Sequence, residues 1–374
     1  MVVIALAGIT PAHVATRVLG RLYVQDGAWF ARALADPLPL QLLRDRMSLP
    51  FRALVTGGAG FIGCNLTRHL LSLGHPVRVV DNLSTGFRRN VEGLEGDFEF
   101  IEGDLRDPAT CAQASTGVEV IFHVAALPSV PRSLVDPIGC HENNVTATIN
   151  LLEAARAAGV RRIVYSASSS AYGDTPTLPK VETMEPLPRS PYAAAKLAGE
   201  MYVLSYARAG LIEGVALRYF NIFGPRQDPY GPYAAVVPAL FSAAVRGVPM
   251  GIFGDGLQTR DFTYVDNAIH ANMLAATLPA AQVNGWMVNV GAGQRTSLLE
   301  LVRLVGEATG RDIALDHRPP RGGDVRDSLA SLERARQVLG YQPTVPLPEG
   351  IARLWGWLRD HPEGMQAPSE AASK

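Results

Sequence analysis

The chain has 374 residues, 47% of them hydrophobic and 18% charged, so it can bury a sizeable core in one large or two mid-sized domains. Its 34 basic and 35 acidic residues nearly cancel, which argues against a protein that binds nucleic acid or anionic membranes. Cys64, Cys111 and Cys140 form no CxxC or Cys/His cluster, and no apolar run approaches ~20 residues. We therefore expect a cytoplasmic protein without a structural metal, a signal peptide or a membrane span.

Residues 1–46 differ from the rest of the chain, because their periodicity is weak and they carry no strand signal that pairs with later segments. Met47 then opens "MSLPFRALVTGGAGFIG", where a regular pattern begins. We expect 1–46 to be a poorly ordered extension from a start codon assigned too early. The alternative is a helical appendage with its own role.

Short apolar strands alternate with helical stretches from residue 52 onward. The strands are predicted at 53–56, 77–80, 98–101, 120–125, 162–167 and 215–220. The helices are predicted near 61–73, 105–115, 142–158 and 191–208. Alternation with nearly continuous apolar strands predicts an α/β fold with a doubly wound parallel Rossmann sheet, covered on both faces.

The pattern loosens after residue 221, where Pro and Gly become more frequent and strands such as "GIF", "FTYV" and "MVNV" are shorter. Helices are predicted near 234–246, 266–278, 297–309 and 331–339. This part predicts a smaller C-terminal α/β domain. The end of the chain, 361–374, is predicted to be a flexible tail.

A glycine-rich turn joins the first strand to the first helix in "VTGGAGFIG". Gly57, Gly60 and Gly63 allow a tight turn, a close approach of a pyrophosphate to the backbone, and packing of the helix on the sheet. A glycine triplet by itself is a weak signal, since such turns often bind nothing. Its position directly after a buried strand favours a phosphate loop.

Acidic residues end the next two strands. Asp81 follows Gly63 by eighteen residues, where an acid accepts hydrogen bonds from an adenosine ribose and repels a 2′-phosphate. This favours NAD over NADP, although Arg88 and Arg89 keep NADP open, and Asp81 could instead cap a turn. Asp104 is expected either to meet the adenine edge or to cap the next helix.

The stretch "SPYAAAKLAGE" begins a helix with Ser190 as N-cap and Pro191 in the first turn. Tyr192 and Lys196 then share one face at i and i+4. A nearby ammonium stabilises phenolate, so we expect Lys196 to lower the pKa of Tyr192 toward that of a useful base. An ordinary amphipathic helix with a surface lysine is the alternative.

Three serines, Ser168, Ser169 and Ser170, end the fifth strand at the carboxyl edge where α/β sheets bind ligands. One hydroxyl is positioned to hydrogen-bond a substrate oxygen and assist the tyrosine. A serine-rich turn is the simpler alternative.

With these residues in place, the chain resembles the extended short-chain dehydrogenase/reductase family, specifically the nucleotide-sugar 4-epimerases. The resemblance covers about residues 51–356 and leaves 1–46 unmatched. The motifs that carry it, in family order, are "TGGAGFIG", "DNLSTG", "GDLRD", "HVAA", "SSSAYGD", "SPYAAAKLAGE", "LRYFNIFGPRQDP" and "TRDFTYVDNA".

The resemblance implies NAD as cofactor and a triad in which Tyr192 is the acid/base, Lys196 holds the nicotinamide ribose, and Ser168 is the catalytic hydroxyl. It implies an NAD-binding domain over 47–220, with contributions from about 262–290, and a nucleotide-sugar domain over 221–261 and 291–360. Ala147 replaces a more usual glycine, which a helix should tolerate. The cofactor site is assigned to Gly57, Gly60, Phe61, Ile62, Gly63, Asp81, Asn82, Asp104, Leu105, Ala125, Asn144, Tyr192, Lys196 and Tyr219.

The resemblance also implies the substrate site and the reaction. Dehydratases of this kind carry an Asp-Glu pair where Ser169 and Ser170 stand, so C4 epimerisation of a UDP-sugar through a 4-keto intermediate is favoured. Asn221, Arg260 and Arg321 are expected at the diphosphate, Phe253 against uracil and Asp324 at a ribose hydroxyl. The substrate site is therefore assigned to Ser168, Ser169, Ser170, Asn221, Val237, Phe253, Arg260, Arg321, Asp324 and Ser328.

Sugar choice is predicted to depend on Ser328, seven residues after Arg321, where relatives restricted to glucose and galactose tend to place a bulky tyrosine. A small residue leaves room for a 2-acetamido group, so UDP-N-acetylglucosamine and UDP-N-acetylgalactosamine are the expected pair. UDP-glucose 4-epimerase and UDP-glucuronate epimerase or decarboxylase remain alternatives, and a non-catalytic NAD-sensing protein is a remote one. A family-typical homodimer through helices 142–158 and 191–208 is expected, although their small, apolar faces fit burial against the sheet equally well. No nucleic-acid or membrane partner is expected.

Overall fold

The computed structural model describes residues 50–229, 235–319 and 325–362. Its strands are β1 (Ala53–Thr56), β2 (Val77–Asp81), β3 (Phe98–Glu102), β4 (Val120–His123), β5 (Arg162–Ser168), β6 (Glu213–Tyr219), β7 (Ile222–Phe223), β8 (Met250–Phe253), β9 (Thr259–Arg260), β10 (Thr263–Tyr264), β11 (Met287–Val290), β12 (Thr296–Ser297) and β13 (Leu315–Arg318). Its α-helices are α1 (Phe61–Ser72), α2 (Pro108–Ser115), α3 (Val130–Val135), α4 (Pro137–His141), α5 (Ala147–Ala157), α6 (Pro191–Arg208), α7 (Val236–Arg246), α8 (Val265–Thr277), α9 (Ala280–Val283), α10 (Leu298–Thr309), α11 (Glu333–Leu339) and α12 (Leu347–Asp360).

Seven parallel strands form the central sheet in the order β11-β6-β5-β4-β1-β2-β3. Alternate residues of each strand point to opposite faces, so Val55 and Val79 join one buried cluster while Leu54 and Val80 join another. Helices α1 and α8 contribute to the first cluster, and α2, α5 and α6 contribute to the second. The predicted doubly wound parallel sheet is confirmed.

Local capping explains where two of the helices begin. Helix α2 starts at Pro108, later than the predicted 105, because the Asp107 side chain accepts hydrogen bonds from the backbone N–H groups of Ala109 and Thr110. Helix α6 starts at Pro191, and Ser190 Oγ accepts from Ala193 N at 3.1 Å. The predicted capping of the Tyr192–Lys196 helix is therefore confirmed.

The predicted helix at 142–158 has two parts. Its first turn, Glu142–Thr146, is a π-helix, and the regular helix α5 follows from Ala147. Such π turns widen a helix and often occur at functional sites. Here the wide turn contains Asn144, one of the residues assigned to the cofactor site.

Small two-stranded sheets, β10-β7, β12-β9 and β13-β8, follow the large sheet along the chain. Sequence patterning missed α12, an amphipathic helix with one proline and two glycines that buries Leu347, Ile351, Leu354 and Leu358. Residues from Pro50 onward group together by their contacts, and the domain limits predicted within them stay predictions. Within the described ranges no helix is long and apolar enough to cross a membrane.

Several predictions concern residues outside the described ranges. These are the N-terminal extension 1–46, most of the tail 361–374, and the substrate residues Arg321 and Asp324.

Candidate active site

A cleft of about 750 Å³ opens at the carboxyl ends of the central strands. This edge is where parallel α/β sheets bind ligands, because the helix N-termini and the connecting loops meet there. The wall includes the loop before α1, the ends of β2 and β3, the segment after β4, the end of β5 and the start of α6.

The glycine loop needs its glycines for steric reasons. Gly57 has φ +67, and a Cβ there would lie 2.7 Å from Ala125 Cα. A Cβ on Gly63 would lie 2.2 Å from the Gly57 carbonyl oxygen. Gly60 forms the N-cap of α1 without a side-chain cap, so the backbone N–H groups of the first turn remain available to an anion.

Asp81 ends β2 and is buried beside this loop. Its Oδ2 accepts from Ala59 N at 2.9 Å and its Oδ1 accepts from Leu83 N at 2.8 Å. Burial raises the pKa of Asp81, while these backbone donors oppose the rise. Each oxygen keeps a second lone pair, so the carboxylate both fixes the loop and can accept from a ribose hydroxyl.

Asp104 lies at the next position along the same wall. It accepts from Asn82 Nδ2 at 3.0 Å and from Arg106 in several hydrogen bonds. The Arg106 side chain is the main reason that the pKa of Asp104 falls to about 2. Asp104 is thus a fixed anion at neutral pH, and it orients Asn82 at the cleft edge.

Ser168, at the end of β5, and Tyr192, in the first turn of α6, both line the cleft. Burial raises the pKa of Tyr192 to about 12, and a hydrogen bond with Ser168 opposes the rise. The expectation that Lys196 lowers this pKa is wrong for this structure. The physical reason is that loss of water outweighs every other influence on the phenol.

Lys196 is buried and lines the cleft beside Tyr192. Burial lowers the pKa of Lys196 to about 7, and the carboxylate of Glu200 opposes the fall. The Lys196 ammonium lies over the ring of Tyr165, 4.4 Å from its centroid. The surface-lysine alternative is therefore wrong.

The serine turn and two further predicted residues, Asn144 and Tyr219, lie in or next to the wall of the cleft. Ser168 Oγ lies 2.8 Å from Ser170 Oγ, and Ser169 to Tyr172 form a single 3₁₀ turn. Asn144 does not line the cleft, but its Oδ1 accepts from the backbone N–H of Leu127, which does. The hydroxyl of Tyr219, also in the wall, accepts from Ser166 and Asn272.

A buried ion pair holds helix α6 against the central sheet. Glu200 binds Arg218 of β6 through two hydrogen bonds of 2.7 and 2.8 Å, and both side chains are 1% exposed. Pairs of this kind are sensitive to loss of one partner, since the other charge is then left buried and alone. The pair fixes the helix that carries Tyr192 and Lys196 to the sheet.

The assigned cofactor residues, apart from Asn144, line this one cleft. They come from the glycine loop, the strand ends and α6, and comprise Gly57, Gly60, Phe61, Ile62, Gly63, Asp81, Asn82, Asp104, Leu105, Ala125, Tyr192, Lys196 and Tyr219.

The assigned substrate residues are placed differently. Of those described, Ser168 lines the cleft, whereas the wall does not include Ser169, Ser170, Asn221, Val237, Phe253, Arg260 or Ser328. Backbone contacts account for part of this placement. Arg260 donates to the carbonyls of Thr259 and Arg326, Asn221 donates to the Asp261 carbonyl, and the Ser328 backbone N–H donates to Thr259.

The sequence reading missed several residues of the wall. Arg226 lines the cleft in a left-handed conformation, φ +67, with its guanidinium 5.3 Å from the Trp357 ring centroid. Arg132 and Asn143 line it from the segment after β4. The signal for Arg226 was its position in "FGPRQDP", shortly after a strand, because loops that follow strands lie at the ligand-binding edge of an α/β sheet. Within the described ranges, no group of His, Cys, Asp and Glu could hold a metal ion.

Comparison with known proteins identifies the family of this chain. The model of the "NAD dependent epimerase/dehydratase family" matches residues 53–291. The UDP-glucose 4-epimerase of Mycolicibacterium smegmatis is 43% identical over 313 residues, which span 83% of this chain and 99% of that relative.

Two solved structures are also similar to this chain in fold. The UDP-N-acetylglucosamine 4-epimerase of Methanobrevibacter ruminantium, in complex with UDP-N-acetylmuramic acid, has a TM-score of 0.78 at 34% identity. The UDP-glucose 4-epimerase of Thermus thermophilus, in complex with NAD, has a TM-score of 0.75 at 35% identity. Each match covers 83% of this chain and 99% of the other.

Proposed function

The chain belongs to the NAD-dependent epimerase/dehydratase family and is an enzyme of the nucleotide-sugar epimerase kind, and we propose that it interconverts UDP-N-acetylglucosamine and UDP-N-acetylgalactosamine. One observation carries the proposed chemistry. Ser168, Tyr192 and Lys196 line the same cleft as the glycine loop, so a proton-transfer group faces a dinucleotide site.

NAD is the cofactor of this family, and the residues present fit it. The uncapped start of α1 and the absence of Cβ atoms at Gly57 and Gly63 leave a backbone cradle for a pyrophosphate. Asp81 is placed to accept from the adenosine ribose and to repel a 2′-phosphate. When bound, NAD supplies a hydride acceptor that takes the hydrogen from sugar C4 and returns it to the opposite face.

The protein supplies the proton transfer. With a pKa of about 12, Tyr192 holds its proton at neutral pH and can donate it to the oxygen of a 4-keto sugar. Removing a proton from the C4 hydroxyl requires the phenolate, which the hydrogen bond with Ser168 favours against the effect of burial. Lys196, which also lines the cleft, would hold the nicotinamide ribose. Ser168 and Tyr192 together hold the reacting oxygen, while the sugar turns over between the two half-reactions.

The sugar assignment follows from small side chains. Ser169 and Ser170 offer no acid to eliminate water, which supports epimerisation over dehydration. Ser328 is buried and donates its backbone N–H to Thr259 of β9. Its short side chain supports the proposal that a 2-acetamido group has room there. The second candidate is the UDP-glucose and UDP-galactose pair, favoured by the 43% identical relative from M. smegmatis. UDP-glucuronate remains a third substrate to test.

The decisive experiment incubates the purified enzyme separately with UDP-N-acetylglucosamine, UDP-glucose and UDP-glucuronate, and separates C4 epimers by chromatography. We expect kcat/KM to be highest for the acetylated sugar. A clear preference for UDP-glucose would replace the acetylated assignment with the second candidate. Release of CO₂ from UDP-glucuronate without epimerisation would contradict both.

We further propose that two copies associate through the helices around α6. Met201 and Tyr202 on α6 are exposed, as are Leu134, Val135 and Ile138 on the neighbouring short helices. Exposed apolar residues on adjacent elements favour an interface. Sedimentation equilibrium should give twice the monomer mass, and Met201→Glu should shift the population to monomers. We also expect the enzyme to work in the cytoplasm, where its three free thiols would stay reduced.

A further inference from the structure

Lysine is rare in this chain. Of the 34 basic residues only three are lysines, Lys180, Lys196 and Lys374. Lys180 is buried and donates to the carbonyl and hydroxyl oxygens of Thr175. Lys196 is also buried, but the partner described for its ammonium is an aromatic ring. A buried ammonium without close oxygen acceptors depends strongly on such a partner.

Tyr165 supplies that ring from the middle of β5. The Lys196 ammonium is 4.4 Å from the ring centroid, within the range of a cation–π interaction. The Tyr165 hydroxyl donates to the backbone carbonyl oxygen of Lys196 at 3.2 Å. One side chain therefore contacts both the head group of Lys196 and the backbone from which it extends.

The fit between Tyr165 and α6 depends on a glycine. A Cβ on Gly199 would lie 2.3 Å from the Tyr165 hydroxyl oxygen, so only glycine lets the ring reach this depth. Gly199 stands one turn after Lys196 and one residue before Glu200. The "AAAKLAGE" pattern is thus explained by close approach of the helix to a tyrosine of the sheet.

Tyr165 is itself held by a buried polar network. Its ring lies 5.5 Å from the ring of His123 on β4, centroid to centroid. His123 Nδ1 lies 2.8 Å from Thr56 Oγ1, and its Nε2 lies 2.9 Å from Thr148 Oγ1. Thr56 Oγ1 also accepts from the N–H of Ala125, which faces the glycine loop. The network therefore joins the phosphate loop to the helix of Lys196.

We propose that Tyr165 is a positioning residue for Lys196, holding its ammonium on the ring face and its backbone by the hydroxyl, so that the lysine points into the cleft. Tyr165 does not line the cleft, so it acts through Lys196 and touches neither substrate nor cofactor. The inference rests on the proposed function, in which Lys196 holds the nicotinamide ribose beside Tyr192.

The charges around Lys196 indicate how its pKa should change when the Tyr165 ring is removed. Glu200 favours the ammonium, and His123 adds no opposing charge at neutral pH because burial lowers its pKa to about 3. Tyr165 stays a neutral donor, since burial raises its pKa well above the ordinary value. The ring face stabilises the charged lysine, so removing the ring should lower the pKa of Lys196 further.

The test compares Tyr165→Leu, which removes ring and hydroxyl, with Tyr165→Phe, which keeps the ring. Tyr341 gives a matched control: it is buried, donates to the Gly291 carbonyl at 2.9 Å, and lies outside the wall of the cleft. With only three lysines, ¹³C/¹⁵N-lysine labelling gives a simple NMR spectrum in which Lys196→Met identifies the Lys196 signal. Titrations are run on the purified protein and after saturation with NAD.

We expect Tyr165→Leu to lower the titration midpoint of Lys196 by roughly one pH unit and kcat by about tenfold. Tyr165→Phe should stay within about threefold of the parent kcat, with an unchanged midpoint, because the ring face remains. Tyr341→Leu and Tyr341→Phe should leave both readouts in place. An unchanged midpoint and kcat in Tyr165→Leu would overturn the proposal.

The proposal stays testable in two unfavourable cases, a variant that does not fold and a parent protein without epimerase activity. If Tyr165→Leu does not fold, the ε-methylene protons of Lys196 in the parent protein still report the ring: they should resonate upfield of those of Lys374. Equal shifts would refute the contact. If the parent protein epimerises no UDP-sugar, the proposed function fails, while the NMR midpoints still decide whether Tyr165 holds Lys196.

Discussion

Two parts of this molecule were assigned to ligand binding, and they contribute differently to the cleft. The cofactor half, meaning the central sheet with its loops and α6, brings thirteen of its assigned residues to one wall. The sugar half, meaning the segments predicted for the nucleotide sugar at 221–261 and 291–360, contributes none of its assigned and described residues to that wall. There, Arg260 and Asn221 donate to backbone carbonyls.

The difference follows from what each half must recognise. A pyrophosphate and a ribose are recognised by backbone N–H groups and by acids at strand ends, which neighbouring parallel strands bring together at one edge of the sheet. A sugar and a uracil need side chains from several separate loops, which meet only through long-range packing. The cofactor half is therefore preformed, and the sugar half depends on how separate segments come together.

The largest expected effect tests the chemistry of the cofactor half. Tyr192→Phe should lower kcat for epimerisation by about 10³-fold, because the proton donor is lost while the ring remains. NAD affinity, measured by calorimetry, should change little. Tyr202→Phe, on the exposed face of the same helix, is the control and should keep full activity. Retention of activity in Tyr192→Phe would remove the proton-transfer role.

A second change tests whether the glycine loop must lack a Cβ at Gly57 to bind the pyrophosphate of NAD. Gly57→Ala should weaken NAD binding by roughly 10- to 100-fold, because the methyl meets the Ala125 backbone at 2.7 Å and φ is +67. Gly74 is a matched control with φ +80 and open space around its Cβ position. Gly74→Ala should cost about 1 kcal/mol of stability and leave NAD binding intact. Equal binding losses would show that backbone strain, and not the cradle, is responsible.

A third change sharpens the account of the sugar half. Ser328→Tyr should lower kcat/KM for UDP-N-acetylglucosamine about tenfold relative to UDP-glucose, because the phenol occupies the space of the acetamido group. The ratio between substrates is the measurement, since loss of folded protein cancels in it. Ser328→Ala should leave the ratio unchanged. An equal loss on both substrates would remove Ser328 as the determinant.

The last prediction concerns stability and pH, and not substrate or cofactor. The pKa of Lys196 is about 7 in the folded protein against an ordinary value of 10.5, so between these pH values the unfolded chain binds more protons than the folded one. The free energy of unfolding should therefore rise with pH between about 7 and 10.5. Below pH 7 it should be lowered by the full cost of burying the charged Lys196. Lys196→Met should abolish this rise and stabilise the protein at pH 7 by on the order of a few kcal/mol, at the expense of activity.

Denaturant unfolding of both proteins at pH 7 and pH 9 measures the difference. Other groups titrate equally in the two proteins, so the difference isolates Lys196. A rise in Lys196→Met as steep as in the parent, or steeper, would contradict burial of a charged lysine.

Much of the cofactor half was predictable from short patterns. The strand-helix alternation gave the sheet, "SPYAAAKLAGE" gave the capped helix, and the glycine triplet with Asp81 gave the cleft wall. The pKa of Tyr192 was predicted with the wrong direction, because spacing along a helix does not reveal how deeply a phenol is buried. Helix α12 was missed because its proline and two glycines weaken the pattern that its buried face would give.

The sequence by itself determined the elements, their order and the chemical groups at the strand ends, because these depend on local propensity and on periodicity. Only the tertiary structure decided what surrounds those groups. It placed Arg226 in the cleft wall, seated the Lys196 ammonium on Tyr165 and buried Glu200 against Arg218. The physical reason is that desolvation and contact depend on residues far apart in the chain, whose approach is fixed by packing of the whole sheet and its helices.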